Sequence, residues 1–275
     1  MVNLPYLLPR LVRHFMPESL ARWLLRRDWL IRPGLETRAP LEAVRRYHET
    51  LQDKGTSIKG KRVLIFGYGG SFAVGCGLLR LGARHVVLAE KAGYYDEQVN
   101  RPLLAEYGEY LHLKVGHIEP DPQWITVFHG DILSVQARQE IGEVDIVLSS
   151  SVYEHLDAVE EITRALVSVT APDGVHLHFI DLRDHFFRYP FEMLCYSEDI
   201  WQKWLDPSSH HNRWRMNDYR RLFEKHFSIV SLGVLARDEA AFENARPRIR
   251  DEFLTGDGLV DSVTLLQVFA KKPMR

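Results

Sequence analysis

Residues 62–75 read RVLIFGYGGSFAVG, and this stretch decides the fold. A short apolar run is followed by Gly67, Gly69 and Gly70, after which the apolar spacing turns helical. A buried strand that ends in glycines ahead of a helix lets the backbone turn sharply. The helix N-terminus then presents N–H groups to a ligand. No Gly-Lys-Ser/Thr follows, which excludes a Walker A loop, and a dinucleotide fingerprint would want glycine where Phe72 stands. That counts against a NAD-binding oxidoreductase, which is kept as an alternative.

Outward from this turn the alternation repeats. Residues 85–89, 124–128, 144–149 and 175–180 read as further strands. Helical patterns run up to Leu81, to about Tyr110 and over 158–170, the last stopping at Pro172-Asp173-Gly174. Residues 228–235 and 262–270 read as two final strands, and 213–227 as an amphipathic helix with a solvated basic face. Strands alternating with helices predict a mostly parallel sheet covered on both faces, with ligands beyond the carboxyl ends of its strands. Chemistry-bearing residues do follow the strands. Glu90, next to Lys91, can accept from both hydroxyls of a ribose; HGDI (129–132) carries Asp131; and VDIVLSSSVYEHL (144–156) carries three small serines.

The chain has 275 residues, 35 Lys+Arg against 37 Asp+Glu, and two cysteines without zinc-like spacing. This length needs no disulfide or structural metal to fold, and Cys76 and Cys195 fit a reducing, cytoplasmic setting. A net charge of −2 argues against a protein that coats nucleic acid. The charge is uneven: residues 1–33 hold six arginines against Glu18 and Asp28, a net +4, which leaves −6 for the remainder. That basic stretch is amphipathic, and Pro5, Pro9 and Arg10 break any signal-peptide run. It reads either as an arm packed on the protein's own core or as a peripheral membrane contact through residues 1–30.

The ordered set VLIFGYGGS, Glu90, HGDI and DIVLSSSVYEHL resembles the class I S-adenosylmethionine-dependent methyltransferases over residues 60–182, with the last two strands matching that family's terminal hairpin. The resemblance implies an α/β, Rossmann-like seven-stranded sheet, mostly parallel, with helices on both faces and a final antiparallel strand. It implies S-adenosyl-L-methionine as cofactor. Gly67, Tyr68 and Gly69 would border its amino-acid part, Glu90 and the adjacent Lys91 its ribose, and Asp131 and Ile132 its adenine. Ser149 and Ser150 would lie near the sulfonium, and Glu154-His155 matches the family's EH pair. Two positions depart from the family pattern: Ile65 replaces the usual acid of the first strand, and Ser71 the third glycine.

Methyl transfer needs an aligned acceptor, excluded water and, for a hydroxyl, a base. His155 is the first candidate base. In HLHFIDLRDHFF (176–187), Asp181 and His185 lie just beyond the fifth strand and are the others; an ion-pair network of Asp181 and Asp184 with Arg183 and Arg188 is the bland reading. No trio of converging acids is visible, so no metal is expected. Tyr94 and Tyr95 are candidates to flank the cofactor. The aromatic-rich stretch 182–215 is either a substrate cap or a satellite core. The expected organisation is a helical arm over 1–58 and a catalytic domain over 59–275. It would act on a small aromatic or apolar acceptor, or on a lipid-linked one.

Overall fold

Among the described residues nine strands occur, seven of them in the main sheet: β1 (Arg62–Phe66), β2 (His85–Glu90), β3 (Leu111–Lys114), β4 (His117–Pro120), β5 (Ile125–His129), β6 (Val144–Ser150), β7 (Thr170–Asp181), β8 (Phe227–Arg237) and β9 (Val263–Pro273). This is a computed structural model, which describes residues 3–17, 20, 39–91, 97–185, 188–207 and 210–274. The main sheet has the order β5-β2-β1-β6-β7-β9-β8. Its first five strands pair in parallel, and β9 runs antiparallel to both β7 and β8. The strand order reverses between β1 and β6, so the crevice that such a reversal opens lies at their carboxyl ends.

Alternation along the strands builds two core layers. Val63, Ile65, Val86, Leu88, Ile146 and Leu148 face one side. There they meet α2 (Pro40–Asp53), through Val44, Tyr47 and Leu51, and α3 (Ala73–Arg80). Leu64, Val87, Val147, Ile180 and Val268 face the other, against α6 (Val135–Ile141), α7 (Val159–Ser168) and α8 (Met216–His226). Between β2 and β3 lie the short α4 (Glu97–Asn100) and α5 (Leu103–Tyr107).

Two local features differ from the sequence reading. The β3–β4 hairpin was not anticipated. Its turn is Val115-Gly116, both at positive φ (48° and 83°), and valine there carries none of the Asn-Gly or Asp-Gly signal that marks such turns. β7 begins at Thr170, with Pro172-Asp173-Gly174 absorbed in an irregularity against β6, five residues before the expected start.

A third, smaller core joins distant segments. Phe191, Leu194, Trp201 and Leu205 pack with Phe242 of α9 (Glu239–Ala245), and with Leu7 and Leu11 of α1 (Leu4–His14). Tyr6 and Arg10 of α1 are buried, and both reach Asp184: the Tyr6 hydroxyl donates to it at 2.5 Å and Arg10 pairs with it at 3.2 Å. Much of the basic stretch, residues 18–19 and 21–38, lies outside the described residues, as do Tyr94, Tyr95, Phe186 and Phe187. Among the described residues no helix is long and apolar enough to cross a membrane.

Candidate functional site

At the carboxyl ends of β1, β2, β5 and β6 a cavity of about 240 Å³ opens. Its walls include Gly67, Glu90, Lys91, Asp131, Ile132 and His155, six of the residues singled out in the sequence, with Val152 and Leu156 beside them. They arrive from the carboxyl ends of four strands, which is why positions 88 apart in sequence face one space.

The glycine turn forms the floor. Gly67, Gly69 and Gly70 have φ of 81°, 65° and 80°, a region that L side chains rarely adopt. At Gly67 a Cβ would stand 2.4 Å from Val152 Cγ2, so glycine is also needed for the approach of the β6 loop. Asn100 clamps the turn from outside. Its Nδ2 donates to the Gly70 carbonyl at 2.7 Å, and its Oδ1 accepts the Phe72 N–H at 2.8 Å. Asn100 was missed in the sequence, because an isolated asparagine near a helix end gives no signal of a partner thirty residues away. Tyr68 is buried beneath the turn, with its hydroxyl 2.7 Å from His129 Nε2.

Glu90 accepts the backbone N–H groups of Gly69 at 3.3 Å and Lys91 at 3.1 Å. Burial raises its pKa, while these two hydrogen bonds oppose the shift. Asp131 Oδ1 accepts from the Leu133 N–H at 2.9 Å, which fixes the loop that presents Ile132 to the cavity.

The serines sit differently. Ser149 is buried, with its Oγ 2.7 Å from His178 Nδ1 inside the sheet, so only its backbone can face a ligand. Ser150 Oγ accepts from Arg46 of α2 at 2.8 Å. Ser151 follows at φ 55°, and this left-handed residue turns the chain into the 3₁₀ segment Tyr153–His155.

Of the three candidate bases, Asp181 is held by Arg183, whose Nη2 and Nε donate to its two oxygens at 2.7 and 2.9 Å. His155 and His185 lie together, ring centres 4.7 Å apart, and His211 joins them at 5.6 Å from His155 and 4.6 Å from His185. His155 Nδ1 bonds the His210 carbonyl at 2.8 Å, which puts its proton on Nδ1 and its lone pair on Nε2. Burial and the neighbouring imidazoles push the pKa of His185 and of His211 well below the usual histidine value. His211 belongs to the aromatic-rich stretch 182–215. Asn212 supplies its placement: its N–H donates to the Glu154 carbonyl at 2.9 Å, and its Nδ2 to the carbonyls of Tyr153 and Leu156.

No protein-family model and no curated protein matches the chain. Solved structures do. A candidate sarcosine dimethylglycine methyltransferase from Galdieria sulphuraria matches with a TM-score of 0.54 at 15% identity, over 93% of this chain and 98% of that one. A candidate methyltransferase from Bacillus halodurans matches with a TM-score of 0.50 at 13% identity, over 82% of this chain and 98% of that one. A candidate O-methyltransferase from Nostoc punctiforme is similar at a TM-score of 0.48 and 14% identity, and there this chain spans 56% of the other's length. Strand order, the antiparallel β9 and the likeness to the Galdieria and Bacillus structures agree: the chain has the Rossmann-like fold of the class I S-adenosylmethionine-dependent methyltransferases.

Proposed function

We propose that the protein transfers a methyl group from S-adenosyl-L-methionine to a small acceptor. The observation that carries this reading is a cavity at the switch point, with Glu90 on one wall and His155 on another. The residues present suit the cofactor. Glu90 is a half-buried carboxylate at a strand end, suited to two ribose hydroxyls; the glycine turn leaves backbone accessible to the amino-acid part; Asp131 and Ile132 offer polar and apolar contacts to adenine.

When bound, the cofactor supplies the electrophilic methyl group. The chain's own work is to orient the acceptor in line, exclude water and take up its proton. The imidazoles of His155 and His185 serve the acceptor side, with Asp181 held back by Arg183. Isothermal titration calorimetry with S-adenosylhomocysteine tests the reading. One-to-one binding in the micromolar range is expected; absence of heat at high micromolar concentration overturns it, and enhanced NADH fluorescence instead would favour the oxidoreductase.

A lipid-linked acceptor is a second reading, supported by α1. Leu4, Leu8, Val12 and Phe15 form an exposed apolar stripe on the face opposite buried Tyr6 and Arg10. Co-sedimentation with anionic vesicles is expected under this reading, and its failure removes it.

A further inference from the structure

We propose that Glu154, His155 and His185 bind one divalent first-row transition-metal ion on the acceptor side of the cavity. One donor atom from each lies within 4.8 Å of the others. Donors each about 2.1 Å from a common ion stand up to about 4.2 Å apart, so the cluster closes on an ion with small side-chain shifts.

A second observation points the same way. Glu154 is 1% exposed, and among the described residues neither of its carboxylate oxygens has a hydrogen-bond partner. A buried carboxyl in that state is neutralised either by a proton or by a bound cation. Arg183 pairs with Asp181 and Arg10 with Asp184, and among the described residues neither guanidinium donates a hydrogen bond to Glu154. His211, 1% exposed, adds a similar orphan: its Nδ1 bonds the Asn212 carbonyl at 2.7 Å and its Nε2 has no partner. His155 and His211 thus both use Nδ1 on a backbone carbonyl, which makes Nε2 the lone-pair nitrogen of each ring. Backing an imidazole through its other nitrogen is how proteins orient metal-binding histidines.

The donor set selects the ion. Two imidazoles and one carboxylate suit Zn²⁺, Fe²⁺, Co²⁺ or Mn²⁺ better than Mg²⁺ or Ca²⁺, which take mainly oxygen. Three protein donors leave coordination positions for water or substrate. Because His155 lines the cavity, the acceptor class implied is one with an ionisable oxygen, a phenol or hydroxy acid, whose proton a bound cation makes easier to remove. This role rests on the methyl-transfer reading; the metal site does not.

The test is Co²⁺ titration of the full chain after chelator treatment, read by its visible d–d absorption. One equivalent per chain is expected, and at least about tenfold weaker binding in Glu154→Gln and in His185→Gln, with His112→Gln on the surface hairpin unchanged. If a variant does not fold, the Co²⁺-loaded wild type is read by proton magnetic resonance, where strongly shifted histidine N–H signals are expected. A folded protein that binds no Co²⁺, wild-type affinity in both variants, or a loaded protein without shifted histidine signals overturns the proposal. S-adenosylhomocysteine binding is measured in parallel, so loss of metal with cofactor retained sinks only the metal site, and the converse sinks only methyl transfer.

Discussion

Asn100 and Gly70 are joined by a buried hydrogen bond of 2.7 Å, and the same asparagine side chain takes the Phe72 N–H two residues on. One side chain therefore satisfies a carbonyl and an amide that flank the turn, where neither has a place in helix or sheet. Asn100→Ala leaves both buried groups without their partner, at about 1–3 kcal/mol each. We expect a loss of about 2–4 kcal/mol in urea denaturation. Weaker S-adenosylhomocysteine binding in the fraction that stays folded should accompany it. Unchanged stability would mean that the turn holds itself.

Gly67 meets two constraints at once, a φ of 81° and the Val152 side chain 2.4 Å from where a Cβ would stand. Gly67→Ala costs about 1 kcal/mol for the backbone and about 1–3 for the overlap. Only the second part is relieved by removing the Val152 methyls. Gly67→Ala/Val152→Ala should be more stable than the sum of the two single changes, and additivity in a denaturation cycle would refute the contact.

How much of this was legible in the sequence follows from the range of the signals. β1, the glycine turn, Glu90 and Asp131 could be read because strand period and strand-end position are local properties. Ser149 could not be aimed correctly: its direction depends on His178 of the neighbouring strand, to which it bonds. The His155–His185–His211 cluster was equally out of reach. His155 and His185 were each singled out, but their meeting depends on Asn212 tying the 153–156 segment to the chain near 211. The Val115-Gly116 turn gave no local signal at all.

If Glu90 binds the ribose as proposed, cofactor affinity depends on pH in one direction. Burial raises its pKa, and its ionised form is the one that accepts hydrogen bonds through both oxygens. Affinity for S-adenosylhomocysteine should therefore weaken as pH falls through that raised pKa and hold constant above it. Glu90→Gln should bind about ten- to a hundredfold more weakly at neutral pH, a loss of about 1.4–2.8 kcal/mol, and show a flatter profile. Calorimetry at a series of pH values decides the matter, and a wild-type profile as flat as that of the variant would remove Glu90 from ribose binding.

His176 and His178 are fully buried in β7, and burial lowers both pKa values, that of His176 to about 3. The Thr170 hydroxyl donates to the Leu166 carbonyl and accepts from His176 Nε2, so His178 Nε2 donates to His176 Nδ1 at 3.2 Å and His178 Nδ1 accepts from the Ser149 hydroxyl. The unfolded chain takes up protons at these positions below the ordinary histidine pKa, about 6.5, whereas the folded chain stays neutral until far lower. Stability should thus be complete above neutral pH and fall on acidification from about 6.5, by up to about 1.4 kcal/mol per pH unit for each histidine.

Asp184 draws α1 onto the body of the protein. It is fully buried, pairs with Arg10 at 3.2 Å and accepts from Tyr6 at 2.5 Å, while the Arg10 guanidinium lies 4.7 Å over the Trp201 ring. Removing one partner of a buried ion pair leaves the other charge uncompensated, at about 3–5 kcal/mol, more than the attraction itself contributes. Arg10→Ala should destabilise by about that amount, and Tyr6→Phe by about 1–2 kcal/mol. Arg10→Ala/Asp184→Asn, which removes both charges, should recover part of the loss of Arg10→Ala alone. Hydrogen exchange locates the effect. Amides of Leu7 and Leu11 should lose protection in Arg10→Ala while those of β1 and β6 keep theirs, because α1 packs on the third core and not on the sheet. Uniform loss across the sheet would show that α1 and the sheet unfold as one unit.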